Sequence, residues 1–573
     1  MAYYQRTFPP PPPPDSSLSE TTSRRRTRGT ELFFSLLLFI AFSFYFSSTL
    51  SATDLRFLPA KRPHARNLIS NVMKDDFQEV TRLSRHVSSV QDSAKYHSVS
   101  VLLPDWEVLV LLSPETSLDS VEGFYCLFWN SQTSPARFSG VLPFTERTAF
   151  KCAMPNGARR PPLWQPILTK YPVKENPAKE RELLRMKKLA YESISTEDDV
   201  VLFVKGVNAR SRSRSPQPQD FMCVFGDAVK TPVTSCTQEV FRCSHPELTA
   251  FTSGTDQPIK MSLQIMHQVQ NRTLPSVAYY RPRQSHAQEP KSEICVCTMV
   301  YNVAKFVKEW VIYHTKIGVE KFILYDNGSE DDLQNVVNEL NGDGYNVTTL
   351  LWIWPKTQEA GFSHNAIHAK HSCKWMLYID VDEFVYSPSW HDSGPSKHLL
   401  KALIPQLHSI GQVSIRCLDF GPSGQKSHPI EGVTQGYNCQ RWDVSQQRHK
   451  SMVLLEAIDD SLDNVVHHFR LKNTFQWREL SMSSALVNHY KYQAWSEFKT
   501  KFRRRVSAYV ADWRDATNPN SKDRTPGLGF EPIKPQGWEF EFCNFTDDRL
   551  KLLTQRWFGQ LTPNGGYKMA WQR

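Results

Sequence analysis

From residue 293 onward the sequence alternates short apolar runs with amphipathic stretches, and this alternation restricts the fold more than any other feature. Ile294–Val300 reads as a strand, Ala304–Ile317 as a helix and Lys321–Tyr325 as a second strand. A helix follows around Asp331–Leu340, then a strand over Val347–Trp352, a helix over Ser363–Cys373 and a strand over Trp375–Ile379. Strands separated by helix-length segments predict a parallel α/β sheet with crossover helices. Ligands of such sheets bind beyond the carboxyl ends of the strands, so the chemistry is expected there.

Two of those ends are chemically loaded. The run Met376–Ile379 leads into Asp380, Val381, Asp382 and Glu383. An Asp-x-Asp is common surface decoration, but here a buried strand delivers it. Hard divalent cations such as Mn²⁺ or Mg²⁺ take oxygen ligands and keep positions open for phosphate oxygens. Such a pair can hold a metal that bridges a diphosphate and neutralises charge on a leaving nucleotide. The second end, Tyr325-Asp326-Asn327-Gly328-Ser329, offers polar groups for a base and ribose; it also reads as an Asn-Gly turn with a helix cap, and the two readings are compatible.

The N-terminal half is different. Residues 32–50 are uncharged, mostly apolar and about long enough to cross a bilayer as a helix. Arg24, Arg25, Arg26 and Arg28 precede them, which predicts a cytosolic Pro/Arg-rich tail (1–31) and a lumenal remainder. The span is short and Phe-rich, which suits a thin early-secretory bilayer and hence the Golgi membrane. Sequons at Asn271, Asn327, Asn346 and Asn544 are compatible with lumenal exposure. Asn327 is expected to escape glycosylation if it lines a donor pocket. Residues 51–95 read as a stem, 96–274 as an all-β module of short apolar strands, a sandwich by preference, and 275–292 as a linker. Within the module Pro177–Tyr191 looks helical, and Ala209–Gln219 is a basic loop. Trp106, Tyr125, Trp129 and Trp164 offer flat faces to sugar rings, although most such aromatics are core residues.

All eleven cysteines fall after residue 120, without zinc spacing. Cys223, Cys236 and Cys243 lie close enough for a local disulfide, which needs an oxidising compartment. Cys295 and Cys297, two apart on a strand, share a face and do not bond each other. The net charge of +10 is spread along the chain. A lumenal location disfavours nucleic acid as a partner.

At this point the residues resemble a known family. Cys295–Asn302, Lys308-Glu309-Trp310 with Tyr313-His314, Tyr325–Ser329, Lys374-Trp375 running into Asp380–Phe384, His449-Lys450-Ser451 and Val487–Tyr490 look, in order, like glycosyltransferase family 92. Within it the chain resembles the plant β-1,4-galactan synthases. That resemblance implies an α/β GT-A (Rossmann-like, nucleotide-sugar-binding) catalytic domain over 293–573, behind an all-β carbohydrate-binding-like module and a transmembrane helix. It also implies UDP-galactose as donor, Mn²⁺, inversion at the anomeric carbon and a pectic galactan acceptor. Asp380 and Asp382 become metal and diphosphate ligands, and Asp326 a nucleoside contact flanked by Asn327 and Tyr301. His467, His468 and His489 are the candidates to complete the metal site, and Lys450 to meet phosphate. Inversion needs a carboxylate base; Asp419, Glu431 and Glu383 are the candidates. A homodimer is expected by analogy with other Golgi transferases. The alternatives are the same fold using another donor, such as UDP-arabinopyranose, and a non-catalytic glycan-binding protein.

Overall fold

The computed structural model describes residues 95–170, 179–208, 217–247, 249, 251, 258–266, 270–282, 290–441, 448–465, 467–507, 527–528, 531–532 and 534–572. The expected tail, anchor and all but the last residue of the stem lie outside the described residues, as does most of the basic loop. Among the described residues no helix is long and apolar enough to cross a membrane.

Residues 95–280 form two β lobes, each with its own core. The first sheet runs from Lys95 to Arg185 and pairs antiparallel throughout, except that Ser98–Leu102 runs parallel to Leu184–Arg185. Its core holds Val108, Val110, Phe124, Phe150 and Leu168, and a Cys126–Cys152 disulfide. The second sheet uses strands between Leu189 and Tyr280 around Leu202, Phe221, Phe225 and Phe241, with a Cys223–Cys243 disulfide.

The central strands read as unbroken apolar runs because both of their faces are buried. In Glu107–Leu112, Val108, Val110 and Leu112 face the lobe's own core, while Leu109 and Leu111 join a second core shared with the C-terminal domain. Val200, Leu202 and Val204 likewise face inward, and Val201 and Phe203 outward. This is the two-residue alternation of a strand with an apolar partner on each side.

Two expectations fail here. Pro177–Tyr191 is not helical where it is described: Leu184–Arg185 joins the first sheet and Leu189 begins a strand of the second. Burial of Leu183 and Leu189 overrides the helix propensity of the Glu, Lys and Leu residues around them. The start of the expected linker is built into the second lobe, where Tyr279–Tyr280 pairs with the strand Ile259–Ile265, and Val277 and Ala278 are buried.

The C-terminal domain is one nine-stranded sheet of β1 (Ser292–Val300), β2 (Lys321–Asp326), β3 (Val347–Leu351), β4 (Cys373–Tyr378), β5 (Glu383–Tyr386), β6 (Ile410–Asp419), β7 (His449–Leu454), β8 (Gln476–Glu479) and β9 (Leu486–His489). Its order is β3-β2-β1-β4-β7-β6-β9-β5, with β8 also on β6. The first four strands are parallel, as the βα alternation predicts. Beyond β4 the sheet is mixed: β7 runs antiparallel to both β4 and β6, β9 parallel to β6, and β5 antiparallel to β9.

Helices α1 (Ala304–Ile317) and α2 (Leu333–Gly342) cover the face carrying Ile294 and Val296. Helix α3 (Gln358–His368) starts earlier than expected and covers the face carrying Cys295 and Cys297, beside the β lobes. Cys295 and Cys297 do share a face, and Cys295 bonds Cys373 on neighbouring β4. The family-like residues of α1 turn out to hold β5 in place. Trp310 Nε1 donates to the Glu383 carbonyl and the Tyr313 hydroxyl to the Val385 carbonyl.

Candidate active site

Strand register alone brings three of the expected residues into line. His489 on β9 stands opposite Glu383 on β5 and opposite Asp419 on β6. Asp419 Oδ1 lies 2.9 Å from His489 Nδ1. With that nitrogen engaged, Nε2 faces Asp382 Oδ2 at 3.7 Å and Glu383 Oε1 at 3.6 Å. Asp380 and Asp382 sit in the turn between β4 and β5. Glu383 Oε2 accepts from the Asp380 amide at 2.8 Å, which fixes that turn.

Two lysines balance the acids. Lys450 Nζ, from β7, is 2.9 Å from Asp380 Oδ2 and 2.7 Å from Glu383 Oε1. Lys501 Nζ, from α5 (Trp495–Ser507), is 2.5 Å from Asp382 Oδ2; a short α4 (Val433–Gly436) precedes that helix in the chain. Burial pushes every carboxyl here upward, but the Lys450 ammonium holds Asp380 well below the usual range, and Lys501 holds Asp382 down. Glu383, fully enclosed, is left pushed up to about 7 by desolvation.

The remaining candidates separate clearly. His467 Nε2 lies 2.6 Å from the Lys450 ammonium, and burial lowers its pKa to about 3, so it is neutral and engaged as an acceptor. His468 contacts Gln412 and His449 instead. Of the expected bases, Glu383 has no exposed surface for an acceptor to reach. Glu431 is exposed at the start of α4, where its backbone carbonyl accepts from Trp571 Nε1, and no described contact joins its carboxylate to the acids. Asp419 is near the acids, but burial, which raises its pKa, is outweighed by His489, Lys491 and Arg448, so it is a weak proton acceptor.

The nucleoside candidates lie at the carboxyl ends of β1 and β2. Asp326 Oδ1 accepts from the Ser329 amide and hydroxyl at 2.9 and 2.6 Å, closing a turn. Asn302, in the left-handed region (φ 51°), donates its amide to Ser329 Oγ and accepts from the Glu330 amide, so the loops after β1 and β2 are tied together. Tyr301 is half-buried beside them. Asn327 gives its side-chain amide to the Trp352 carbonyl, whereas Asn271, Asn346 and Asn544 are exposed. In the first lobe Trp106 is exposed, while Tyr125, Trp129 and Trp164 are half-buried.

Two carboxylates and an imidazole nitrogen suit Mn²⁺ or Mg²⁺ in kind, and ligand atoms about 2.1 Å from one ion stand roughly 3–4 Å apart. The 3.7 Å between Asp382 and His489 falls in that span. Among the described residues no three His, Cys, Asp or Glu side chains are grouped as a metal site; the lysine ammoniums hold the carboxylates instead. Lys501 and Lys491 were not anticipated. The signal for Lys501 was the need of a buried acid pair for compensating cations, with a basic amphipathic stretch following His489.

The profile of glycosyltransferase family 92 matches residues 291–525. A glycosyltransferase family 92 protein of Arabidopsis thaliana is 41% identical over 418 residues, 69% of this chain and 70% of that protein. A galactan β-1,4-galactosyltransferase of the same plant is 22% identical over 247 residues, 40% of this chain and 45% of that protein. Among solved structures, a mannosyltransferase of Pyrobaculum calidifontis in complex with GDP-Man and Mn²⁺ superposes with a TM-score of 0.25 at 10% identity, over 41% of this chain and 68% of that one. A superposition that loose carries no inference about chemistry. The 41% identity over most of both chains does: the protein belongs to glycosyltransferase family 92.

Proposed function

We propose that the chain transfers galactose from UDP-galactose to a β-1,4-galactan acceptor, in the lumen of the Golgi, behind a transmembrane anchor at residues 32–50. The observation that carries this reading is the alignment of Glu383, His489 and Asp419 across three strands, next to Asp380 and Asp382 at the end of the parallel sheet. Asp380, Asp382 and His489 would hold Mn²⁺, which supplies charge neutralisation for a departing diphosphate. Asp419 pins His489 so that Nε2 faces the acids. Lys450 keeps Asp380 ionised and lies where a phosphate oxygen would be met. Asp326, Asn327 and Tyr301 border the nucleoside. The fold of 290–572 is then the GT-A arrangement, and the β lobes correspond to the carbohydrate-binding-like module. The four disulfides and the exposed sequons support a lumenal setting. Galactan as acceptor draws its support from the likeness to the galactan galactosyltransferase.

The test is transfer by the purified protein with a panel of UDP-sugars, Mn²⁺ and galacto-oligosaccharides of defined length, read by mass. Additions of single hexoses from UDP-galactose alone are expected. Transfer from UDP-arabinopyranose alone would reassign the donor, and no transfer from any donor would favour a glycan-binding role.

A further inference from the structure

Lys151 belongs to the strand Thr148–Ala153 of the first β lobe and is 5% exposed. It points out of its own lobe, at the turn after β2. Its Nζ donates to the Gly328 carbonyl at 3.4 Å, the single hydrogen bond this three-donor ammonium makes among the described residues. Gly328 has φ +81°, and a Cβ there would stand 2.7 Å from Lys151 Nζ, so turn and lysine are in direct contact. Arg137, paired with Lys151 across the sheet, bridges Glu330 at 3.2 Å on the same loop. Two neighbouring strands of the lobe thus present two cations to residues 328–330. Burying an ammonium with one long hydrogen bond is unfavourable unless nearby charge compensates it. Asp326 lies on the same turn, two residues before Gly328; its carboxyl is pushed up by burial and drawn back by Ser329 and, to a smaller extent, by the charge of Lys151.

We propose that Lys151 is a positioning residue that the β lobe contributes to the nucleotide pocket. Its ammonium holds the Gly328 carbonyl and offsets the Asp326 carboxylate, so that the turn meets ribose and base in one conformation. This rests on the reading that Asp326 contacts the nucleoside. On this inference the lobe is part of the transferase site, whatever glycan it also binds.

The experiment uses the full chain and measures UDP binding by calorimetry alongside steady-state kinetics with UDP-galactose. Loss of a hydrogen bond to a charged group predicts that Lys151→Met raises the Kd for UDP and the KM for UDP-galactose roughly tenfold. The kcat and the KM for the acceptor should stay within about twofold, because no atom of Lys151 faces the acids that carry the chemistry. Lys151→Arg should recover most of the affinity. An unchanged UDP affinity in folded Lys151→Met, or an equal rise in acceptor KM, overturns the proposal. Should Lys151→Met fail to fold, Lys151→Gln decides: it keeps a polar side chain but removes the ammonium, and unaltered UDP binding there overturns the proposal equally. Wild-type protein that binds no uridine nucleotide would remove the role of Asp326 itself, a result distinct from wild-type binding that Lys151→Met leaves untouched.

Discussion

Asp419 accepts a hydrogen bond from Nδ1 of His489 at 2.9 Å, and this one contact decides which nitrogen of the ring is presented to Asp382 and Glu383. Carboxylate partners of a ligating imidazole fix its tautomer and typically alter metal affinity by roughly 10- to 100-fold. Asp419→Asn is therefore expected to weaken Mn²⁺ binding by about that factor. His489→Ala should weaken it at least as much. Calorimetric titration of Mn²⁺ into each variant checks this, and wild-type affinity in both would remove His489 from the site.

That relationship was only partly legible in the sequence. The Asp380–Asp382 pair announced itself because an apolar strand runs straight into it, and the first four strands were readable because βα alternation has a regular period. Asp419 and His489 were both recognisable as candidates, but their pairing was not. It depends on the register of β5, β9 and β6, whose partners are distant in sequence and which lie in the mixed half of the sheet. Lys501 was hidden for the same reason. The β lobes were legible as strands, yet their division into two cores was not, since a strand buried on both faces shows no alternation to reveal which face meets which partner.

Glu309 gives the stability a pH dependence. It is buried at 3% exposure, where it accepts from the Val433 and Thr434 amides at the start of α4, and desolvation pushes its pKa up to about 7 from 4.5. A carboxyl raised in the folded state binds its proton more tightly there than when unfolded. Its contribution is complete below pH 4.5 and is lost as pH climbs to 7. The shift corresponds to about 3 kcal/mol. Urea midpoints measured from pH 4.5 to 7 should show a wild-type advantage over Glu309→Gln that is largest at pH 4.5 and shrinks as pH rises, whatever slope the other titrating groups give both proteins. A difference between the two proteins that stays constant across this range would assign the dependence elsewhere.

The Cys295–Cys373 disulfide ties adjacent strands β1 and β4, 78 residues apart, at the amino end of β4, the end opposite the Asp380 turn. Closing a loop of that size restricts the unfolded chain, and loss of such a bridge costs about 2–5 kcal/mol. Cys373→Ser is expected to lower the unfolding midpoint accordingly, and reductant should lower that of the wild type but not shift this contribution in the variant. Equal midpoints for Cys373→Ser and wild type under oxidising conditions would contradict a structural role.

The last prediction concerns whether 290–573 is a domain in its own right. Tyr191 and Phe203 of the second lobe pack on Trp352 and Trp354 with ring centroids 5.4–6.3 Å apart. Trp354 Nε1 donates to Glu192 at 3.3 Å, Arg242 to the Asp460 carbonyl at 2.7 Å and Lys205 to the Lys356 carbonyl at 2.5 Å. Removing the lobes would uncover both tryptophans. At about 200 Å² each and about 25 cal/mol per Å², their exposure alone costs roughly 10 kcal/mol as an upper figure, comparable with the whole stability of an ordinary domain. A fragment of residues 290–573 is therefore expected to aggregate or to bind hydrophobic dyes without a cooperative melt, whereas residues 92–573 should melt cooperatively. A soluble, cooperatively melting short fragment with measurable UDP affinity would show that the parallel sheet folds without the β lobes, and that their packing on its face adds stability to a domain already complete.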